Sequence, residues 1–326
     1  MIQRKLHFVL GKGGVGKTTM AAAMATLFAR RGRRTLAIEM DAAGRLPGML
    51  GSSGAAPTPK AVGPNLSVLS LDGRTALEEY LGLVIPVKRV LTTIFSSRVY
   101  QYFVAAAPGL KELMTVGKIW YEATREEDGR PRWDAIVVDA PATGHGLQYL
   151  SMPQVAHDTF GAGLVQREAG RVAALLRDPA VTAVHLVTLG EDMPVTETLE
   201  THAKLTGELK LPAGRVIVNR VHARRFAPEL VARVRESAAS APGKQGELLE
   251  AVADRATEES GWAEINAEQL ERLRNALTTD ALVEVPFLYA EEFGSHELDQ
   301  IARTLEPTLE VRTSGTGRRV RRGATE

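Results

Sequence analysis

The sequence predicts an α/β fold: a doubly wound, mostly parallel sheet carrying an inserted helical lobe. Three observations lead there. Short apolar runs that read as buried strands alternate with longer stretches of helical periodicity. The first two strands are joined through a single helix in a compact β-loop-α-β unit, a connection that favours right-handed parallel pairing. A long stretch of mostly helical patterning, about 75–127, then interrupts the alternation before the strand that ends at Asp139. With 326 residues the chain suits one large domain, expected over 1–312, better than two independent units.

The elements follow in order. Leu6 to Leu10 is a short buried strand that ends at Gly11. Lys17 to Arg31 is a helix whose Met20, Ala21, Met24, Leu27 and Phe28 face inward, stopped by Gly32. Thr35 to Met40 is the second strand, and Ala42 to Pro64, rich in Gly, Pro, Ala and Ser, reads as a long loop. Leu66 to Leu71 is a third strand. In the lobe, apolar pairs such as Ile94-Phe95 and Tyr102-Phe103 are broken by Pro86 and by Pro108-Gly109. Trp133 to Asp139 is a buried strand with an acid at its end, and a further helical segment covers about 144–178. Three more strands, Ala183 to Leu189, Arg215 to Asn219 and Leu282 to Val285, are separated by charged amphipathic helices. Residues 313–326 form a Gly/Arg-rich tail without periodicity, expected to be disordered.

Composition narrows the chemistry. With no cysteine, disulfides, thiolate metal sites and cysteine nucleophiles are excluded. The net charge is +1, but Arg318, Arg319, Arg321 and Arg322, against the single acid Glu326, sit in the tail, leaving the body at about −2. Such a body offers no electrostatic reason to bind nucleic acid. No apolar run approaches the ~18 residues of a membrane span, and the apolar run after Arg4 and Lys5 is too short for a signal sequence. A cytoplasmic protein is expected.

Gly11-Lys12-Gly13-Gly14-Val15-Gly16-Lys17-Thr18 satisfies G-x-x-x-x-G-K-[ST] between a strand and a helix. Glycines at these places let backbone N–H groups turn inward around phosphate oxygens, and the helix adds its positive N-terminus. Lys17 is placed to neutralise the β- and γ-phosphates and Thr18 to sit on Mg²⁺, with Thr19 counted among the nucleotide-binding residues. The fold is therefore expected to be of the P-loop nucleotide-hydrolase type, with ATP and Mg²⁺ as ligands. Asp139, ending an apolar strand, stands where such proteins keep the acid that holds a metal-bound water.

Lys12, directly after the first glycine, makes the loop resemble the deviant Walker A group. There the early lysine acts on the partner's nucleotide across a dimer interface. The resemblance implies catalytic roles for Lys12 and Lys17 in a homodimer, or in a dimer with a related ATPase. Asp139-Ala140-Pro141-Ala142-Thr143-Gly144-His145 resembles the D-T-A-P-T-G-H signature of one family in that group. This family contains the arsenite-pump ATPase and the targeting factor for tail-anchored membrane proteins. The Asp, Thr, Gly and His match, whereas the three residues after the Asp differ. The resemblance implies that Gly144 senses the γ-phosphate. Asp41, in Glu39-Met40-Asp41-Ala42-Ala43-Gly44, stands where the family's S-T-D-P-A-H has the acid that activates the attacking water. The neighbouring Ser/Thr, Pro and His are missing. Val218-Asn219-Arg220 is similar to the family's V-N-[QR], whose Asn reads adenine, and Pro286-Phe287 to the loop that packs on the base. The pattern spans about residues 6–290.

The absent cysteines argue against soft-metalloid binding and against the zinc site that holds eukaryotic targeting dimers together. The targeting branch sequesters a transmembrane helix in an apolar groove. Here Ile94, Phe95, Val99, Tyr102, Phe103, Leu110, Leu113, Met114 and Trp120 either line such a groove for a membrane-protein client or form the lobe's own core. The competing reading is a partition- or positioning-type ATPase acting on DNA or a membrane surface through its tail. A third is a slow nucleotide-dependent scaffold. No catalytic role falls to a histidine: His145 lies in the signature, His157 and His202 have no evident partner, and His185 sits in a buried strand.

Overall fold

The computed structural model describes residues 3–40, 44–54, 56–73, 75–76, 78, 109–278 and 281–309. Asp41, most of the expected lobe and the basic tail lie outside the described residues. The core is an eight-stranded sheet of order β10-β9-β8-β1-β7-β2-β4-β3. Its strands are β1 (Leu6–Gly11), β2 (Thr35–Met40), β3 (Lys60–Gly63), β4 (Leu66–Leu71), β7 (Ala135–Asp139), β8 (Thr182–Leu189), β9 (Ala213–Val221) and β10 (Leu282–Pro286). All neighbours are parallel except the β3–β4 pair at the edge.

Period-2 alternation distributes the strand side chains to two faces. Leu6, Phe8 and Leu10 of β1 join Ile136 and Val138 of β7 in one core. That core is covered by α3 (Leu110–Thr124), α4 (Thr143–Thr159) and α5 (Leu164–Arg177). Val9, Ala135 and Val137 point to the other face, beneath α1 (Lys17–Arg30), α2 (Arg45–Met49) and α9 (Ser295–Leu309). Met20, Ala21, Met24, Leu27 and Phe28 of α1 are all buried, as their spacing predicts. Ala22, Ala23 and Ala25 are buried as well, so α1 is enclosed between the sheet and its neighbouring helices.

Beside the sheet edge, α6 (Asp192–Ala203) and α8 (Lys244–Ala276) share a smaller core through Val195, Leu270 and Leu273. With α7 (Pro228–Ser240), the 33-residue α8 forms a long hairpin whose Leu248 and Val252 are exposed. No helix among the described residues is long and apolar enough to cross a membrane.

Some expectations need correction. The loop expected over Ala42 to Pro64 contains α2 and β3, the latter pairing antiparallel with β4. The helical pattern expected to reach Glu127 stops at Thr124. A two-stranded hairpin, β5 (Glu126–Glu127) with β6 (Arg130–Pro131), follows, turning at Asp128-Gly129 with φ of 53° and 72°. That dipeptide is a type I′ turn signal, and it reverses the chain before β7. β7 itself begins at Ala135, because Trp133 is bound through its indole N–H to the buried Glu122 of α3 at 3.0 Å.

Candidate active site

The phosphate loop lies at the C-terminal edge of the sheet, where β1 is flanked by β7 and β8. Open parallel sheets bind ligands at such edges, in the crevice where the strand order reverses. Two glycines are required by contact. A Cβ on Gly11 would lie 2.3 Å from the Val187 carbonyl oxygen of β8. One on Gly16, at φ +96°, would lie 2.4 Å from the Asn219 side-chain nitrogen. Gly13 and Gly14 are exposed, and Val15 is buried beneath them. Helix α1 begins after Gly16 with no side-chain cap and no acid in its first turn. Its first N–H groups, those of Lys17, Thr18 and Thr19 among them, are left to an anion.

Lys17 folds back so that its ammonium donates to the Lys12 carbonyl at 3.0 Å. Burial pulls its pKa down, and the nearby Asp139 works against that shift. The Lys12 side chain leaves the loop altogether and pairs with Glu197 of α6 at 2.6 Å.

Asp139 is buried at the end of β7, and its Oδ1 has no hydrogen-bond partner. Desolvation raises its pKa to about 6, against the opposing effects of the Thr18 hydroxyl and of Lys17. A buried carboxylate with an unsatisfied oxygen beside a threonine hydroxyl suits a cation's hydration shell. Among the described residues no group of three or more His, Asp or Glu gathers to hold a metal unaided. Any Mg²⁺ here would depend on phosphate oxygens and water, as it commonly does.

Gly144 lies in the first turn of α4 after Ala142, with open space where a side chain would project. Asn219, at the end of β9, spends its amide on the loop: Nδ2 donates to the Val15 carbonyl at 2.9 Å, and Oδ1 accepts from the Arg220 N–H at 2.9 Å. The sequence pointed to this residue for the base; in the structure its side chain also ties the end of β9 to the phosphate loop.

Pro286 closes β10, and the Phe287 N–H bonds the Val221 carbonyl at 3.0 Å. The Phe287 ring stacks on His222 with centroids 4.5 Å apart and meets Tyr289 edge-on. These rings line a cavity of about 950 Å³ at the ends of β8, β9 and β10, walled on its far side by α7 and α8. Glu259 of α8 accepts from Tyr289 and pairs with His222, which holds its carboxyl below the usual range despite desolvation. Sequence reasoning missed His222, Glu259, Tyr289 and Trp262 of this cavity, since they come from three separate segments and form no local motif.

Glu39 was missed too. This acid of β2 stands opposite Asp139 in the β2–β7 register and is almost fully buried. Its carboxylate accepts N–H bonds from Gly44, Arg45 and Leu46 at 2.8, 2.8 and 3.1 Å, capping α2. The histidines take structural places. The His185 Nε2 lies 3.1 Å from the His7 Nδ1, the His7 Nε2 faces the Arg4 carbonyl at 3.1 Å, and the His185 Nδ1 accepts from the Arg215 N–H.

A parallel α/β sheet with an anion-ready glycine loop, a buried acid and an adjoining apolar cavity defines a P-loop nucleotide hydrolase. Within that class, residues 4–169 match the family model described as anion-transporting ATPase. ATPase BagA of Mycobacterium tuberculosis is 34% identical over 256 residues, 76% of this chain and 74% of the relative. ATPase ASNA1 homolog 1 of Paramecium tetraurelia is 30% identical over 153 residues, covering 46% and 44% of the two chains. The arsenical pump-driving ATPase of Escherichia coli is 28% identical over 222 residues, covering 61% and 36%. The chain belongs to the anion-transporting ATPase family, and it is an ATPase.

Proposed function

We propose that this ATPase works as a Mg²⁺-dependent, cytoplasmic dimer, of two copies or of one copy with a close relative. In this reading it couples ATP binding and hydrolysis to the binding and release of a protein client. The observation that carries the nucleotide chemistry is the unsatisfied Asp139 oxygen beside Thr18, at the foot of an uncapped α1. Mg²⁺ would be held through Thr18 and, by way of water, Asp139, and it would supply charge neutralisation for the nucleotide's phosphates.

The residues divide the remaining work. Backbone N–H groups from Gly13 to Thr19 cradle the phosphates, and Lys17 turns from the Lys12 carbonyl onto them. Asp41 takes a proton from the attacking water. The water oxygen bonds to the γ-phosphorus as the bridging oxygen departs with ADP, and the proton ends on the released phosphate. Gly144 senses the γ-phosphate from the first turn of α4. Asn219 holds the loop's shape, and Phe287 with Pro286 forms the wall on which adenine packs. Lys12 is to act on the partner's nucleotide. For that it must first leave Glu197, an exchange between two half-exposed groups that costs little.

The client is a protein segment, apolar by analogy with the targeting branch. Of the residues expected to line its groove, Leu110, Leu113, Met114 and Trp120 lie on α3, whereas Ile94, Phe95, Val99, Tyr102 and Phe103 lie outside the described residues. Sedimentation velocity at micromolar protein, with and without Mg²⁺-ATP, tests the cycle. ATP is expected to shift the boundary to a dimer, and Asp41→Asn to hold it there while phosphate release stops. An unchanged boundary in all conditions would sink the dimer reading.

A further inference from the structure

The segment after β2 departs from the family pattern in a way that has a structural counterpart. Glu39 stands where the pattern has a serine, and the pattern's Pro and His are absent. In their place the Glu39 carboxylate reaches forward and takes the N–H groups of Gly44, Arg45 and Leu46. It also receives the Ser70 hydroxyl of β4 at 3.4 Å, and Ser70 in turn accepts from the Ala56 N–H. Both carboxylate oxygens are thereby occupied, and the start of α2 is pinned to the end of β2. A buried carboxylate satisfied by several backbone N–H groups is rigid, because releasing any one leaves a buried charge underpaired.

The pinned residue is Arg45. Its backbone is fixed 2.8 Å from the Glu39 carboxylate, and Glu39 lies directly across the strand pair from Asp139. Arg45 thus sits at the C-terminal edge of the sheet, over the same crevice as the phosphate loop. Its guanidinium acts electrostatically on both Lys17 and Asp139, the two charged groups that bracket the phosphate position. Arg45 is exposed, and among the described residues it has no ion-pair partner. An arginine within electrostatic reach of Asp139 and Lys17, with no side-chain hydrogen bond among the described residues, suits a phosphate oxygen rather than a structural salt bridge.

We propose that Arg45 is a catalytic residue that contacts the γ-phosphate of ATP from within the same chain, and that Glu39 is the positioning residue that holds it there. The inference rests on the phosphate-loop reading above. It adds a cation that the family's signature does not contain, supplied in cis from the first turn of α2. Charge spread over the equatorial phosphate oxygens in the transition state is what such a cation stabilises.

The test compares equilibrium binding of fluorescent ADP and of a fluorescent non-hydrolysable ATP analogue, alongside steady-state phosphate release, for the full chain with Mg²⁺. Arg45→Ala is expected to weaken the ATP analogue about tenfold or more while leaving ADP within about twofold, and to cut turnover at least tenfold. Arg45→Lys retains part of the ATP preference, because a charge remains without the planar fork. Glu39→Gln shifts the ATP-to-ADP ratio in the same direction by a smaller factor, with a folded far-ultraviolet spectrum. A change in that ratio is a readout that mere loss of packing does not produce. If Arg45→Ala does not fold, Arg45→Gln carries the same comparison. The proposal is overturned if the arginine variants keep both the ratio and the turnover within twofold of wild type. If Arg45→Ala behaves as expected but Glu39→Gln does not, the positioning role of Glu39 is overturned. Lys17→Ala separates the two levels: it should lose both nucleotides, and if it binds them normally the phosphate-loop reading has failed, not the assignment of Arg45.

Discussion

The buried pair His7–His185 makes this protein acid-sensitive in a way that can be worked from its hydrogen bonds. The Arg215 N–H donates to the His185 Nδ1, so that ring carries its proton on Nε2 and donates to the His7 Nδ1. His7 then carries its own proton on Nε2, facing the Arg4 carbonyl. One proton per ring satisfies the whole chain, and both imidazoles are neutral. A second proton on either ring would have no acceptor and would place a charge beneath Phe28 in a fully buried site.

Desolvation accordingly lowers the His7 pKa from 6.5 to about 3, and His185 moves in the same direction, burial again being the main cause. Both folded values lie below the unfolded one. The unfolded chain therefore binds more protons than the native one below pH 6.5, and stability falls as pH drops from 6.5 toward about 3. By about pH 4.5 the His7 contribution alone is about 3 kcal/mol, a large share of a typical total. Urea unfolding of the nucleotide-free protein, followed by tryptophan fluorescence at about pH 7.5 and 4.5, measures it. The double variant His7→Leu/His185→Val starts less stable, because the Arg215 N–H loses its acceptor, whereas the Arg4 carbonyl keeps its bond from the Arg33 guanidinium. It should nevertheless lose at least about 3 kcal/mol less than wild type between the two pH values, the His7 share alone, with His185 adding to it in the same direction. If both proteins lose the same amount within experimental error, the rings are not a neutral buried pair and the reasoning fails.

Three further outcomes follow from the site. Asp139→Asn should stabilise the nucleotide-free protein near neutral pH by a few kcal/mol, since it removes a buried charge whose pKa is raised to about 6, while abolishing Mg²⁺-dependent turnover. A thermal melt without ligand that falls instead of rising would contradict this. Asn219→Ala should leave the fold intact yet loosen the phosphate loop, raising the Kd for both ADP and ATP about tenfold, because the Val15 carbonyl loses its donor. Isothermal calorimetry with each nucleotide distinguishes this from a base-reading role, in which guanine nucleotides would gain relative to adenine. Glu197→Gln should free Lys12 and lower the protein concentration at which ATP yields a dimer, read by sedimentation. If the concentration rises, Glu197 helps to place Lys12 for the closed state.

Much of the fold was legible because its signals are local. Buried parallel strands write themselves as continuous apolar runs, and β2 and β4 begin and end where their runs do. The phosphate loop is legible for the same reason, since its backbone turns demand glycine at fixed spacing beside one lysine and one hydroxyl. The β5–β6 hairpin was hidden by brevity: two-residue strands leave no periodicity to detect. The lobe's expected groove residues before Leu110 lie outside the described residues.

By itself, then, the sequence determined that the chain folds as a parallel α/β sheet and carries a glycine loop of phosphate-binding pattern at Gly11 to Thr18, because strand burial and loop backbone conformation are set by residues adjacent along the chain. Only the tertiary structure decided what each polar group does once there. It gave the Asn219 amide to the Val15 carbonyl, Lys12 to Glu197, and the Glu39 carboxylate to the start of α2. It also gathered His222, Glu259, Phe287 and Tyr289 around one cavity. Hydrogen-bond and charge partners are settled by distance across the sheet, between residues up to about two hundred positions apart, and no pattern of neighbours along the chain encodes them.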